Sequence, residues 1–186
     1  MNEYFKVSTR TIVAAGLGAA IFMLLFMYIK IPSPVPETQF QTAYGLGAFF
    51  ATLFGPVAGF LIQFIGHALS DAVQYGSPWW SWVFASGVAG FIFGLAYKRT
   101  RVEEGEFKSR DILTFNVIQV IGNAIAWILV APILDILIYQ EPVNLVFTQG
   151  FVAFVMNSIS AGVIGTLLLV AYAATRTKKG SLSKSY

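Results

Sequence analysis

The distribution of charge constrains this chain more than any other feature. Asp, Glu, Lys and Arg are absent from Thr11–Ile29, Thr38–Ser70, Ala72–Tyr97, Ile112–Leu134 and Pro142–Thr175. Each stretch is close to or above the ~20 residues with which a helix crosses a bilayer core. Charged residues make up 11% of the chain and hydrophobic residues 56%, where a soluble domain carries roughly 25% charged residues. Lipid is therefore the expected solvent for most of the chain. Backbone amides in hydrocarbon have to be bonded within a helix or a closed barrel, and apolar runs without period-two alternation point to helices.

The Thr38–Ser70 stretch is too long for one span and is broken at Gly55-Pro56, where proline removes a helix hydrogen bond and glycine tolerates a turn. The expected fold is an all-α membrane protein, a single integral membrane domain over residues 1–186. Its six transmembrane helices fall near 11–30, 41–54, 56–75, 78–97, 111–139 and 147–174. The second is short for a full core, so it either extends back through Glu37 or leaves one end in a cavity. The first segment lacks a small-residue cleavage site at its far end and reads as a retained helix.

Lys and Arg set the orientation. With the N-terminus inside, Lys6, Arg10, Lys98, Arg99, Arg101, Lys108, Arg110, Arg176, Lys178, Lys179 and Lys184 are cytoplasmic, and Lys30 alone is outside. Both termini are then cytoplasmic. The Pro-rich loop Lys30–Phe40, the turn at Gly76-Ser77 and the loop Gln140–Val146 are external. The basic residues sit where membrane topology requires them, so a net charge of +3 does not call for nucleic acid. There is no cysteine, which excludes disulfides and thiol chemistry.

Polar groups at membrane depth are costly and usually face a cavity or the bundle interior. Helix three carries Gln63, His67, Asp71 and Gln74 along one face, with His67 and Asp71 within reach of each other. Helix five offers Asn116, Gln119, Asn123 and Trp127, with Asp135 at its outer end. Helix six adds Gln149 and Asn157, helix two adds Gln41 and Tyr44, and helix four begins with Trp79, Trp80 and Trp82. Asn116 and Gln119 read as interhelical glue, and Trp79 and Trp80 also suit interface anchors. The expected substrate-binding set is His67, Asp71, Gln74, Asn123, Trp127, Asn157, Gln41, Tyr44 and Trp79. Amides and aromatics at a shared depth suit a flat heteroaromatic molecule, with stacking surfaces for its faces and polar partners for its edge.

One histidine and one carboxylate are too few for a metal site, and no Gly-framed nucleophile is present. No cofactor is expected. A concentrating transporter needs an energy source, yet there is no G-x-x-x-x-G-K-[ST] loop and no evident inverted repeat. A separate motor should therefore attach. Helix one presents Ala15/Ala19 and Gly16/Ala20 at the small-xxx-small spacing that lets helices approach closely, which suits either such a partner or packing within the bundle. Gly87, Gly90 and Gly94 on helix four, and Gly162 and Gly165 on helix six, read as contacts within the bundle.

Three blocks carry a family resemblance: Phe54-Gly55-Pro56-Val57-Ala58-Gly59-Phe60, Gly66-His67-Ala68-Leu69 followed by Asp71, and Tyr75-Gly76-Ser77-Pro78-Trp79-Trp80-Ser81-Trp82. At these residues the chain resembles the S components of energy-coupling factor (ECF) vitamin transporters, in particular a hydroxymethylpyrimidine- or pyridoxine-type subfamily of the riboflavin-like S components. The resemblance implies a six-helix binding subunit in a prokaryotic plasma membrane, without catalytic activity. It further implies an outward cavity closed by the Lys30–Phe40 loop, and a membrane scaffold docked on the Ala15/Ala19 face with two cytoplasmic ATPases. It also implies toppling of the subunit to deliver its vitamin inward. An autonomous carrier or channel is the alternative, and an intramembrane enzyme a more distant one.

Overall fold

A computed structural model describes residues 7–176. Lys6, Lys178, Lys179 and Lys184, which entered the charge argument, lie outside the described residues. Six helical rods form one bundle: α1 (Thr9–Tyr28), α2 (Ala43–Phe54), α3 (Pro56–Tyr75), α4 (Trp80–Phe93), α5 (Ser109–Tyr139) and α6 (Val143–Thr175). Four of these, α1, α3, α5 and α6, are long and apolar enough to cross a membrane, and α2 and α4 are shorter apolar helices.

Local chemistry explains the helix ends. Ser8 accepts the Thr11 amide at 3.2 Å and Thr11 answers through its own hydroxyl, a capping box that starts α1. Gly55, at φ 89°, ends α2, and Pro56 opens α3 at the position where a missing N–H costs nothing. The break expected at Gly55-Pro56 is thus present.

Close packing follows the small residues. At the α3–α4 crossing a Cβ built on Gly59 would land on the Gly90 carbonyl, and one on Gly90 would land on the Gly59 carbonyl. Gly87 faces Phe60 and Gly94 faces Pro56, so these helix-four glycines are internal contacts, as expected. Asn116 donates to Thr166 Oγ1 at 3.1 Å and Gln119 to the Ser158 carbonyl at 3.2 Å, joining α5 to α6.

Two features were not expected. The Lys30–Phe40 region is an antiparallel hairpin, β1 (Lys30–Pro32) on β2 (Gln39–Gln41), with Ile31 opposite Phe40. Glu37 has φ 54° within its turn, so α2 does not extend back through that residue; its first turn instead borders a cavity. The second feature is a pair of π turns, Ile125–Val130 in α5 and Ala161–Gly165 in α6. Pro132 has no N–H and its ring crowds the carbonyl four residues back, which accounts for the widened turn just before it.

The bundle has two chemically distinct ends. At one, Arg10 near the start of α1 pairs with Glu103 at 2.8 Å, and Arg101 forks onto Asp111 at 2.7 Å and Glu106 at 2.7 Å. Hydrogen bonding to Asp111 raises the Arg101 guanidinium pKa further. The hairpin, which follows the other end of α1, covers the opposite end of the bundle.

Candidate functional site

Beneath the hairpin lies a cavity of about 450 Å³, within the ~300–1,000 Å³ of small-molecule sites. All six helices contribute to its wall: Phe26 from α1, Tyr44 from α2, His67 and Asp71 from α3, Trp82 from α4, Trp127 and Asp135 from α5, Gln149 and Asn157 from α6. The hairpin segment from Pro36 to Gln41 closes over them.

The aromatic wall is built from mutually supporting rings. Trp82 and Trp127 stack with centroids 5.9 Å apart at 19°, and Tyr44 meets Trp127 edge-on at 5.2 Å. Phe26 lies 4.3 Å from the His67 ring. Trp127 belongs to the π turn of α5, a kind of irregularity common at functional sites.

A polar relay runs behind this wall. Asp71 Oδ1 lies 3.5 Å from His67 Nε2, His67 Nδ1 lies 2.6 Å from Ser86 Oγ, and Ser86 Oγ lies 2.8 Å from the Tyr44 hydroxyl. Ser86 Oγ thus bridges His67 Nδ1 and the Tyr44 hydroxyl through two hydrogen bonds, and the His67–Asp71 contact is longer. Serine, histidine and aspartate in line could suggest hydrolysis. Ser86, however, is fully buried beneath Tyr44 and presents no hydroxyl to the cavity.

Asp71 also accepts the Trp79 amide at 3.0 Å. Asp135 accepts the indole N–H of Trp79 at 2.5 Å, that of Trp82 at 2.9 Å, and the Ser81 hydroxyl at 2.5 Å. A buried carboxylate thereby organises the Tyr75–Trp82 block. The hairpin is tied down at two points: Gln149 donates to the Pro36 carbonyl at 3.0 Å, and Lys30 Nζ donates to Gln74 Oε1 at 2.8 Å. Burial lowers the Lys30 pKa, while Asp71 and Glu37 act to raise it.

His67, Asp71, Gln41, Tyr44, Trp79, Trp127 and Asn157 therefore come together around one cavity. Gln74 and Asn123 do not line it. Gln74 faces Lys30 and Ser70. Asn123 is fully buried, accepting from Trp127 and donating to Gln119. Each of these side chains is engaged within the protein. Sequence reasoning left Trp82, Asp135 and Gln149 out of the site. The signal for Asp135 was present, since a carboxylate in an apolar helix needs several donors to remain there.

Ala15, Ala19, Gly16 and Ala20 of α1 divide between a buried and an exposed face. Ala15 and Ala19 are buried in the bundle, and a Cβ on Gly66 of α3 would strike the Ala19 carbonyl. Gly16 and Ala20 are exposed, beside Ile12, Val13, Leu17, Ile21 and Leu24.

The sequence model of the family described as "ECF-type riboflavin transporter, S component" matches residues 6–174. A UPF0397 protein of Lacticaseibacillus casei is 51% identical over 184 residues, covering 99% of each chain. One from Streptococcus gordonii is 54% identical over 175 residues, 94% of each chain, and one from Clostridium perfringens is 52% identical over 181 residues, 97% of this chain and 98% of the relative. The chain belongs to the family of ECF-type riboflavin transporter S components, and it is a substrate-binding membrane subunit, not an enzyme.

Proposed function

We propose that this chain is the substrate-specificity subunit of an ATP-driven importer in the prokaryotic cell membrane. It captures a small vitamin or precursor, hydroxymethylpyrimidine or pyridoxine, and delivers it inward with a membrane scaffold and two ATPases. The single domain spans the bilayer six times with both termini cytoplasmic, so the hairpin faces outside. The observation that carries this reading is the aromatic-walled, hairpin-covered cavity at the end of the bundle opposite the Arg10–Glu103 contact. Among the described residues, seven of the eight Lys and Arg fall at the end of the bundle away from the hairpin, which supports the orientation. Ring stacking on Trp82 and Trp127 and polar contacts from Asp71 and Asn157 suit a flat heterocycle.

The test is calorimetric titration of the purified chain with hydroxymethylpyrimidine, pyridoxine and riboflavin, paired with co-purification of the scaffold and ATPases. Binding of one ring, weakened by ~1–3 kcal/mol in His67→Ala, is expected. An autonomous carrier would instead accumulate substrate in vesicles without those subunits.

A further inference from the structure

We infer that the inner half of α6 reads whether the cavity is occupied, through a ladder of side-chain amides that joins Trp127 to the π turn at Ala161–Gly165, with Gln119 as the positioning residue at its centre. This deepens the binding function proposed above and depends on it.

The ladder is continuous. The Trp127 indole N–H donates to Asn123 Oδ1 at 2.8 Å, Asn123 Nδ2 donates to Gln119 Oε1 at 2.9 Å, and Gln119 Nε2 donates to the Ser158 carbonyl at 3.2 Å. Gln119 Nε2 also reaches Asn116 Oδ1 at 3.3 Å, and Asn116 Nδ2 donates to Thr166 Oγ1 at 3.1 Å. Ser158 precedes the π turn and Thr166 follows it, so α5 holds α6 on both sides of its irregular segment. Within the turn, a Cβ on Gly162 would lie 3.1 Å from Asn116 Oδ1 and 3.2 Å from Gln119 Nε2. Asn123 and Gln119 are buried, so water does not compete for these bonds.

The same turn is gripped from α2. The Gly45 amide donates to Ser160 Oγ at 3.2 Å, and a Cβ on Gly45 would strike Ile164. Gly45 follows Tyr44, which lines the cavity and meets Trp127 edge-on. Both α2 and α5 thus grip the turn and carry a ring of the cavity wall.

A π turn holds one residue more than the α turn it replaces, so its conversion to α would rotate Thr166–Thr175 by about 100° and advance it by ~1.5 Å. Coupling between distant groups requires an element with two such arrangements. Ser158 Oγ is buried without a partner among the described residues, so the present arrangement leaves a polar group for another to satisfy. A ring stacked on Trp127 biases the indole, and the ladder passes that bias to Gln119 and the turn.

The chain has no cysteine, so a trifluoromethyl thiol probe on Val163→Cys, an exposed position within the turn, reports this segment alone by fluorine NMR. Hydroxymethylpyrimidine, pyridoxine and riboflavin are titrated by calorimetry, and the spectrum is recorded with whichever ring binds. The bound ring should shift the Val163 resonance or split its intensity between two signals, and Trp127→Phe without ligand should also displace it. Gln119→Leu should abolish both responses and, by reciprocity, weaken ring binding about 5-fold or more. Asn116→Ala, which removes the bond to Thr166, takes its place if Gln119→Leu does not fold. A probe on Ile12→Cys, on the exposed face of α1, should not respond. A Val163 probe silent to the bound ring or to Trp127→Phe, a response undiminished in the ladder variant, or an equal response at Ile12 overturns the occupancy report and leaves a ring-binding subunit in place. If no ring binds, the binding function falls and the report with it.

Discussion

Asn123 Oδ1 accepts the Trp127 indole N–H at 2.8 Å across one turn of α5, so a residue that never reaches the cavity fixes the ring that walls it. The amide group of Asn123 is held in turn by the carbonyl and side chain of Gln119, each at 2.9 Å. Asn123→Ala should weaken hydroxymethylpyrimidine binding by ~1–3 kcal/mol through loss of this support. In a Trp127→Phe background the same substitution should have little further effect, and a double-mutant cycle by calorimetry measures that coupling.

The hairpin's two ties define a second prediction. Gln149→Ala removes the donor to Pro36, and Lys30→Met removes the donor to Gln74. Each should speed ligand dissociation severalfold, about the effect of one hydrogen bond worth ~1 kcal/mol, with a smaller change in association. Stopped-flow release rates check this. Rates equal to the parent's in both variants would mean that the hairpin does not retain the ligand.

The glycine crossing between α3 and α4 tolerates no side chain. Gly90→Ala places a methyl against the Gly59 backbone, and the helices would have to separate. The melting temperature in detergent should fall, with overpacking costs of ~1–3 kcal/mol or more. Gly16→Ala, at a position with nothing within 4 Å, serves as the control and should leave melting unchanged.

Helix α1 separates folding from assembly. Ala19→Trp should disrupt the bundle, because Ala19 is buried where α1 meets Gly66 of α3. Gly16→Trp projects from the exposed face and should leave folding and ligand binding intact while reducing co-purification of the scaffold. Normal assembly and uptake with Gly16→Trp and Ala20→Trp would remove this face from the docking account.

Much of this architecture was legible because hydrocarbon leaves a chain few options. Charge-free stretches and Gly55-Pro56 marked the helices to within a few residues, and the small residues of α4 marked a real crossing. His67, Asp71 and Trp127, singled out by their spacing, line one cavity. Spacing alone did not reveal how far a polar group is already satisfied by its neighbours. Asn123 shares a face with Trp127, yet that closeness engages it within the protein. Gln74 shares a face with Asp71 but turns to Lys30, whose position depends on the hairpin. The hairpin itself has strands of three residues, too short and proline-rich for a periodic signal, and depends on contacts such as Gln149 to Pro36, 113 positions away in sequence. Ala15 and Ala19 had the spacing of a docking face, but small-xxx-small spacing serves contacts inside a bundle equally well.

The central claim is that the chain alone captures an intact small ring in the cavity walled by Trp127. Mass spectrometry of the small molecules released from purified wild-type protein and from folded Trp127→Ala tests it most directly. The account predicts a chemically unchanged heterocycle at near one copy per wild-type chain and its loss from the variant. Recovery of the same molecule in equal amount from both proteins, or of a chemically altered product, would contradict it.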